Sequence, residues 1–447
     1  MNTGISRRHF LATAATVSVL PRRIFGQDGK PGANGKLNIA GVGIGGMGKG
    51  NLNQVANLGH NIAALCDVDK GYAKATINQY PNAKFYADFR EMLAQEKDID
   101  GVVIATPDHT HAVVAAAAMK AGKHVFVQKP LCHDIFECRE LMRLAKETKV
   151  VTQMGIQGRA DNGLYVICEW LAAGAIGDLV DIDAWCDLSY YPWGRAYWSS
   201  PLGRKPEQGQ PIPEGLNWDL FLGPAAHRDY HRCYHPGCWR PWWDFGNGMM
   251  GDRGAHTLDS VFTVLGYRMP TEIDATSSDL NPDTHPVSAV ITFRVPEANG
   301  QKPMKVTWYE GTRPPRPQGL PDDQKLPGEG GIIFNGTKGK IIAGVYGASP
   351  TIIPEAARAA AGKPPQTLER PKGGIEGNWL NAILDGGKTK TCAAFDYSAR
   401  LTEFTMLGNV AKRVDGRIVW DEAAMRVANN DAANQYIKCP RRGGWDL

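Results

Sequence analysis

A glycine-rich turn near the start of the chain constrains its fold more than any other feature. Leu37–Val42 is a short apolar run typical of a buried strand, and Gly43–Gly48 follows it directly with the pattern G-x-G-x-x-G. The three glycines allow a tight turn, a close approach of backbone to a pyrophosphate and close packing of helix on strand. The N–H groups at the start of the helix then face the phosphates. The residues expected to contact the cofactor here are Gly43, Ile44, Gly45, Met47 and Gly48.

A carboxylate at the end of the next strand indicates which dinucleotide fits. The apolar run 62–66 ends on Asp67, nineteen residues after Gly48. A carboxylate in this place accepts hydrogen bonds from the adenosine ribose hydroxyls and repels a 2′-phosphate. The pattern therefore favours NAD over NADP. The alternative is that Asp67 only caps a helix.

A second strand–helix–strand pattern, residues 102–130, brings a lysine to the same edge of the sheet. An apolar run at 102–105 is followed by a stretch of high helix propensity at 112–119. A second apolar run at 124–127 then leads into Lys129. Open α/β sheets bind ligands in the crevice outside the carboxyl ends of their strands. We therefore expect Lys129 at the crevice, although a lysine at a strand end is more often a solvated surface charge.

Patterning divides the chain into two domains behind an N-terminal leader. Strand and helix patterns alternate in residues 36–152, which predicts a doubly wound parallel sheet, the Rossmann type of α/β fold. Residues 153–447 show strand patterns at hairpin-like spacing, which predicts an α+β domain with a mostly antiparallel, open-faced sheet. Strands are expected at 84–86, 150–152, 179–188, 271–275, 288–294, 305–310, 331–334 and 340–343, helices at 163–173, 378–384 and 394–414, and an exposed loop at 311–330.

Residues 1–35 are interpreted as an export signal and a linker. Residues 6–11 read S-R-R-H-F-L, which matches the twin-arginine pattern S-R-R-x-F-L, and an apolar stretch follows at 12–20. The twin-arginine machinery would deliver a folded protein to the periplasm with its cofactor held tightly. The alternative is a frayed basic tail. Nine scattered cysteines suit folding in a reducing cytoplasm better than a disulfide framework.

The charge balance argues against a nucleic-acid partner. The formal net charge is +4, and the leader alone contributes four arginines before the first acid, so the rest of the chain is close to neutral. No run of eighteen apolar residues predicts a membrane span.

A histidine and an aspartate four residues apart lie in the second domain. Asp252 and His256 precede apolar residues at helical spacing, so we expect the pair to begin a helix and to share one face. An imidazole at a helix N-terminus tends to have a lowered pKa, which keeps it neutral and able to accept a proton. The alternative is that Asp252 caps the helix and His256 packs in the core.

Together these features resemble the Gfo/Idh/MocA family, named after glucose–fructose oxidoreductase and inositol dehydrogenase. The matching residues are Gly43, Gly45, Gly48, Asp67, Thr106, Pro107, His111, 121–125, Lys129, Pro130, Asp252 and His256. The resemblance implies an NAD-dependent oxidoreductase acting on a sugar or polyol hydroxyl. In it Lys129 orients the hydroxyl, His256 is the general base and Asp252 holds substrate and histidine. Gln128 stands where Glu is usual, and a neutral amide cannot tune Lys129 as a carboxylate would.

The remaining site residues are predicted from the family resemblance and from their positions in the sequence. The expected cofactor contacts are Thr106, Pro107, His111, Gln128, Lys129 and Gln157, and the expected substrate contacts are Lys129, Tyr190, Trp239, Arg240, Asp244, Asp252 and His256. Aromatic faces stack well on sugar C–H surfaces, and seven of the twelve tryptophans lie between Trp185 and Trp243. By resemblance, the open sheet face implies a homo-oligomer, a dimer or a tetramer.

Two other functions and one metal site are alternatives to the oxidoreductase interpretation. A redox-neutral glycosidase of the same superfamily would oxidise a ring hydroxyl, eliminate the aglycone, add water and reduce the sugar back on one NAD. A non-catalytic NAD-binding regulator is disfavoured by the presence of Lys129, Asp252 and His256. A zinc site could use His231, Cys233, His235 and Cys238, but their spacing is too tight for a known finger, so we expect no metal.

Overall fold

A six-stranded parallel sheet forms the N-terminal domain. The computed structural model describes residues 35–194, 196 and 198–447, so the predicted export signal lies outside the described residues. The strands are β1 (Asn38–Val42), β2 (Asn61–Cys66), β3 (Lys84–Tyr86), β4 (Gly101–Ile104), β5 (His124–Gln128) and β6 (Thr152–Gly155). The helices are α1 (Met47–Asn57), α2 (Lys74–Gln79), α3 (Phe89–Gln95), α4 (Asp108–Lys120) and α5 (Ile135–Thr148). The strand order β3-β2-β1-β4-β5-β6, with every pair parallel, confirms the predicted Rossmann sheet.

The last strand of this sheet lies further along the chain than the apolar pattern predicted. A strand was expected at 150–152, but β6 is built from the polar stretch that follows, and it includes Thr152 and Gln153. Gln153 is fully buried, where its amide donates to the carbonyl of Ile375 and accepts from the Ala393 N–H. A buried polar side chain is tolerated in a strand when such bonds satisfy it. Its partners lie more than two hundred residues away, so the local pattern could not reveal them.

A nine-stranded, mostly antiparallel sheet forms the C-terminal domain, as predicted. Its strands are β7 (Leu179–Cys186), β8 (Glu272–Ser277), β9 (Ala289–Val295), β10 (Met304–Glu310), β11 (Gly331–Gly336), β12 (Lys340–Gly344), β13 (Thr351–Ile353), β14 (Arg417–Asp421) and β15 (Arg426–Val427). The helices are α6 (Asn162–Ala172), α7 (Trp218–Leu222), α8 (Ala255–Val264), α9 (Glu355–Ala361), α10 (Gly374–Leu384) and α11 (Phe395–Val414). The order is β13-β12-β11-β7-β10-β9-β8-β14-β15, in which β7 and β10 pair in parallel.

The outer face of the second sheet is partly covered by the chain itself. Residues 311–330 form the predicted loop, and most of them are exposed. Leu320 of this loop is an exception, because it is buried against the sheet. It packs in an apolar cluster with Trp185, Ile333 and Ile342, which point outward from β7, β11 and β12. Burial of this apolar surface stabilises the loop on the sheet. The open face is therefore smaller than the strand pattern alone suggests.

Helix α10 returns from the second domain to pack on the Rossmann sheet. The ring of Trp379 lies 5.8 Å from that of Phe126, and a Cβ added at Gly101 would lie 2.9 Å from the Trp379 ring. Asn51 of α1 donates a 2.7 Å hydrogen bond to Glu376 of α10. These contacts attach α10 to the Rossmann domain, and Leu37–Leu447 forms one compact unit. Among the described residues, no helix is both long and apolar enough to cross a membrane.

Candidate active site

A cleft runs along the edge of the parallel sheet where the strands have their carboxyl ends, and residues of the second domain line its other side. The Rossmann residues that line it include Gly43, Gly45, Met47, Asp67, Thr106, Pro107, Asp108, His111, Gln128 and Lys129. The second domain contributes Leu220, Phe221, His235, Trp239, Arg240 and Asp252, and the C-terminus contributes Trp445. This is the ligand-binding edge of an open α/β sheet. Most of the residues predicted to bind cofactor or substrate therefore lie together.

The glycine turn has no room for side chains at two of its glycines. Gly43 has φ +78°, and a Cβ added there would lie 2.6 Å from the backbone of Ala105. A Cβ at Gly48 would lie 2.0 Å from the Gly43 carbonyl oxygen, so α1 packs directly on the turn. Helix α1 starts at Met47 without a side-chain cap, which leaves its first N–H groups to a ligand, as phosphate binding requires. The turn fits a dinucleotide.

Asp67 is held in place by the glycine turn. Its Oδ2 accepts hydrogen bonds from the N–H groups of Ile44 at 2.8 Å and Gly45 at 3.2 Å, and its Oδ1 accepts from Asp69 at 3.0 Å. Burial raises the pKa of Asp67, and the backbone hydrogen bonds oppose that rise. A carboxylate has roughly four acceptor positions, so about one remains for a ribose hydroxyl. No side chain caps α2, so Asp67 is not the cap of that helix.

An ion pair between the two domains lies at the other half of the cleft. Lys129, just beyond the end of β5, donates to the Asp252 carbonyl at 3.2 Å and pairs with the Asp252 carboxylate. Arg240 Nε lies 3.9 Å from the second carboxylate oxygen, and the Arg240 guanidinium stacks on Trp239 at 4.5 Å. Burial alone would raise the pKa of Asp252, but the charges of Lys129 and Arg240 lower it strongly. Asp252 is therefore a fixed anion between two cations.

Asp252 lies in a π-helical turn rather than at the first turn of a helix. The chain is helical from Gly248, and Met250–Gly254 forms a π-turn that continues into α8. Such insertions widen the helix and recur at functional sites. The widened turn presents both the carbonyl and the carboxylate of Asp252 to Lys129. The expectation that Asp252 and His256 begin the helix was therefore wrong by about one turn.

His256 is buried beneath the cleft, with no hydrogen bond to either ring nitrogen within the described chain. Its ring makes an edge contact with Tyr346 at 4.4 Å between centroids, and its Nδ1 is buried without a partner in that part of the chain. Burial, followed by the charge of Lys129, lowers its pKa well below the usual value. The predicted direction of this shift agrees with the structure, but its cause is burial rather than a helix N-terminus. His256 is not part of the cleft lining.

Asp108 is a titratable group of the cleft that the sequence reasoning missed. It opens α4 directly after Pro107, and its Oδ2 accepts a 2.9 Å hydrogen bond from the Asn247 N–H. No hydrogen bond reaches Oδ1 from the described residues. Burial raises the pKa of Asp108 to about 7, although the charges of Arg240 and Lys129 favour the anion. The signal was present in the sequence, since an acid follows the Thr-Pro pair at the same strand end.

His111 and Gln128, two of the residues expected to contact the cofactor, make hydrogen-bonding contacts with backbone carbonyls and with a side-chain amide. The two ring nitrogens of His111 lie 2.8 Å and 2.9 Å from the carbonyl oxygens of Pro130 and Thr106, and burial lowers its pKa to about 4. The neutral ring has one N–H and donates to one of these carbonyls, so His111 lies between the two loops that carry Thr106 and Lys129. Gln128 donates a 3.0 Å hydrogen bond to Asn51, which in turn donates to Glu376.

Two of the predicted site residues, the substrate candidate Asp244 and the cofactor candidate Gln157, lie outside the cleft lining. Asp244 forms an ion pair with Arg228, and Gln157 carries a buried side-chain oxygen without a partner in the described chain. Tyr190 is buried behind the cleft, and its hydroxyl also lacks a partner among the described residues. Burial, followed by the charge of Asp252, raises its pKa.

The four residues of the rival zinc arrangement have separate roles. His235 donates a 2.8 Å hydrogen bond to Asp69, and Cys233 is fully buried. The ring of His231 accepts from the Cys233 N–H. Over the described ranges, no group of three or more His, Cys, Asp or Glu side chains could hold a metal ion.

The two sequence domains match the sequence models of one family. Residues 37–156 match the model described as an oxidoreductase family, NAD-binding Rossmann fold, and residues 180–301 match the oxidoreductase family C-terminal alpha/beta domain. Fold and cleft thus define a two-domain protein with an NAD-binding Rossmann domain. The chain carries both domains of the Gfo/Idh/MocA family of oxidoreductases.

Curated relatives are similar over part of their length. Inositol 2-dehydrogenase of Salmonella typhimurium is 34% identical over 140 residues, which are 30% of this chain and 41% of that protein. A glycosyl hydrolase family 109 protein of Solibacter usitatus is 39% identical over 128 residues, 26% of this chain and 29% of that one. The matches to the first such relatives span about two fifths of their length.

Solved structures share the fold across nearly their whole length. The WlbA dehydrogenase of Bordetella pertussis, solved with NADH and UDP-GlcNAcA, has a TM-score of 0.59 at 17% identity and covers 86% of this chain and 99% of its own. Levoglucosan dehydrogenase, solved with NADH and L-sorbose, has a TM-score of 0.58 at 17% identity and covers 87% of this chain and 100% of its own.

Proposed function

We propose that this protein is an NAD-dependent oxidoreductase that transfers a hydride between a sugar or polyol hydroxyl carbon and NAD. The observation that carries the proposal is the Lys129–Asp252 pair, which joins the two domains beside Thr106 and Pro107. The glycine turn and Asp67 would hold the pyrophosphate and the adenosine ribose. NAD bound there would supply the hydride acceptor.

The residues at the ion pair would position the substrate and take its proton. Lys129 would donate a hydrogen bond to the reacting hydroxyl while Asp252 fixes its position. His256, neutral because it is buried, would accept the hydroxyl proton, as the family resemblance implies. Arg240 and Trp239 would contact the substrate from the second domain, since a guanidinium donates to hydroxyl oxygens and an indole face packs on C–H groups.

A redox-neutral glycosidase is the second candidate, and Asp108 favours it. Removing an aglycone from an oxidised sugar needs a second group that moves a proton, and such groups work best with a pKa near the working pH. Burial places the pKa of Asp108 at about 7. The resemblance to a glycosyl hydrolase family 109 protein points the same way.

One experiment separates these candidates. The purified protein is incubated with a panel of free sugars, polyols and aryl glycosides, with and without added NAD, while NADH and released aglycone are measured. NADH formation from free sugars or polyols would identify a dehydrogenase. Aglycone release without net NADH would identify the glycosidase. Absence of turnover with every compound would contradict both and favour a non-catalytic NAD-binding regulator.

The cellular setting is part of the same proposal. We infer export to the periplasm by the twin-arginine machinery from residues 6–11 and a homo-oligomeric state from the family resemblance. An exported enzyme meets little free NAD, so one NAD would have to serve many turnovers and a second substrate would have to reoxidise or reduce it.

A further inference from the structure

We propose that a cover segment (residues 213–245) and the C-terminal Trp445 complete the NAD site and retain the adenosine half of the dinucleotide. The proposal rests on the proposed function only in taking NAD as the ligand. It concerns residues outside the glycine turn and outside the Lys129–Asp252 pair.

The half of the cleft in question is fixed by the strand order. Asp67 and Val68 follow β2, and Ala87 and Asp88 follow β3, so they lie on the opposite side of β1 from Thr106 and Lys129. In a Rossmann domain the ends of these first strands hold the adenosine. Facing them across the cleft are Leu220, Phe221, His235 and Trp445, all of which line it.

The cover segment is hydrogen-bonded to the loop that carries Asp67. The Asn217 N–H donates to the Val68 carbonyl at 2.8 Å, and the Lys70 N–H donates to the Gly215 carbonyl at 3.1 Å. His235 donates a 2.8 Å side-chain hydrogen bond to Asp69, and the His235 side chain is only 8% exposed. The ribose-binding loop and the cover segment are therefore one hydrogen-bonded assembly.

The cover segment has a buried, largely aromatic cluster of its own. Its buried members are Leu216, Trp218, Phe221, Leu222, Ala225, Tyr230, Cys233, Tyr234, Trp242 and Phe245. Trp218 stacks on Phe221 at 4.8 Å, and Tyr234 meets Trp242 at 4.7 Å. His109 of α4 has its Nε2 2.9 Å from the Phe221 carbonyl oxygen, which ties the cluster to the Rossmann domain. Aromatic contacts of this kind stabilise the packing beyond the burial of apolar surface alone.

The C-terminal tail closes the same half of the cleft. Arg441 pairs with the buried Asp134 and Glu137 at the start of α5, and the Arg442 guanidinium donates to the Gly223 carbonyl of the cover segment at 2.8 Å. Trp445 is then 7% exposed and lies 6.2 Å from the ring of Phe89. The adenosine half is thus walled by three separate parts of the chain, and a dinucleotide would leave only after the cover segment or the tail had moved.

The test measures how quickly bound dinucleotide exchanges. Protein is purified without added cofactor, its dinucleotide content is measured after denaturation, and exchange is followed by a chase with isotope-labelled NAD. We expect NAD to copurify with the wild-type protein. Replacements His235→Ala and Trp445→Ala should each speed its release by ~10-fold or more, the change expected when about 1.4 kcal/mol of retention is lost.

Two matched variants act as controls. His231→Ala removes a histidine of the same segment that accepts a hydrogen bond from the Cys233 N–H and lies outside the cleft lining. Trp170→Ala removes a tryptophan outside the cleft. Both should exchange at the wild-type rate. Circular dichroism identifies any unfolded variant. The two cover variants are His235→Ala and Trp445→Ala, and either one alone is enough for the test if the other fails to fold.

The outcomes separate this inference from the proposed function. Slow exchange in the wild type and controls with fast exchange in the cover variants supports it. If NAD binds but the cover variants exchange it at the same rate as the wild type, retention by the cover segment is overturned and the oxidoreductase proposal stays intact. Absence of any NAD binding overturns both.

Discussion

Lys129 and Asp252, 123 residues apart in the chain, meet through both a side-chain ion pair and a hydrogen bond from the ammonium group to the Asp252 carbonyl at 3.2 Å. One residue follows a strand of the parallel sheet, and the other lies in a π-turn of the second domain. The contact requires both domains to be folded and docked. It is therefore a sensitive marker of an assembled active site.

Replacing Lys129 by Met should reduce turnover by ~10²-fold or more, the order expected when a positioned proton-transfer group is lost. NAD occupancy should stay close to the wild-type value, because the glycine turn and Asp67, which we propose hold the far half of the cofactor, are unchanged. Steady-state rates and dinucleotide content check this. Lys123→Met is the control, since Lys123 lies outside the cleft lining and its ammonium group donates to the carbonyls of Lys97 and Ile99. A Lys129→Met enzyme with wild-type turnover would remove Lys129 from the mechanism.

His256→Ala should produce a loss of turnover of the same order without loss of bound NAD. The double variant should be little slower than the slower single one, because groups that act as a unit are not additive. His285→Ala is a matched control: this histidine is also fully buried with an unpaired Nδ1 in the described chain, but it packs on Trp243. Equal losses in both histidine variants would mean that His256 acts through stability alone.

Local sequence signals predicted the features that depend on neighbours in the chain. Gly43 needs a positive φ and Gly48 needs contact with the turn, and both requirements follow from a strand that enters a helix at once. β3 was predicted at its observed bounds, Lys84–Tyr86. Asp67 could likewise be placed at a strand end from spacing alone.

Features that depend on distant partners could not be predicted in this way. Gln153 is buried in β6 because residues beyond 370 bond to it. The π-turn at Asp252 has no periodicity signal, because the same residues would also suit an α-helix. Tyr346, which packs on His256 with φ +68°, follows β12 in a turn that no motif identifies. The cover segment lies in an aromatic stretch whose contacts with the Rossmann domain are all long-range.

Asp67 should decide cofactor preference. Once bound dinucleotide has been removed, the protein should bind NAD more tightly than NADP, because the fixed carboxylate repels a 2′-phosphate. Asp67→Ala should weaken NAD binding and reduce the difference in affinity between NAD and NADP. It should also loosen the glycine turn, since the N–H groups of Ile44 and Gly45 lose their acceptor. Calorimetric titrations with both dinucleotides check this, and tighter binding of NADP by the wild type would contradict the assignment.

Export should depend on the arginine pair at positions 7 and 8. Changing Arg7 and Arg8 together to Lys keeps the charge and removes only the guanidinium groups, so a loss of export would reflect recognition rather than charge. The control changes Arg22 and Arg23 to Lys, which alters the same number of arginines after the apolar stretch. Fractionation should find the first variant in the cytoplasm and the second in the periplasm. Normal export of both would mean that the twin-arginine interpretation is wrong.

Asp108 should make both stability and activity depend on pH near neutrality. Its pKa is raised to about 7 in the folded protein, whereas an unfolded chain releases this proton near ~3.9. The stability that the protonated carboxyl contributes is therefore fully present below the unfolded pKa and is lost as the pH rises through about 7. Asp108→Asn stays neutral at every pH, and its amide oxygen can still accept from the Asn247 N–H.

Urea denaturation should therefore be compared for Asp108→Asn and wild type at pH 5 and pH 8. Relative to the wild type, the free energy of unfolding of the variant should be higher at pH 8 than at pH 5 by roughly 2–3 kcal/mol. If Asp108 also moves a proton in the reaction, the turnover of the wild type should change across pH about 7, and that change should be absent from the Asp108→Asn profile. Asp274→Asn is a control, since this carboxylate is paired with Arg294 and Arg417 on the outer sheet, which lower its pKa even though partial burial acts to raise it. Its effect on stability should therefore not grow between the two pH values, because Asp274 is ionised in both the folded and unfolded states at each of them. Parallel pH dependence in the wild type and in Asp108→Asn would show that Asp108 does not titrate in this range.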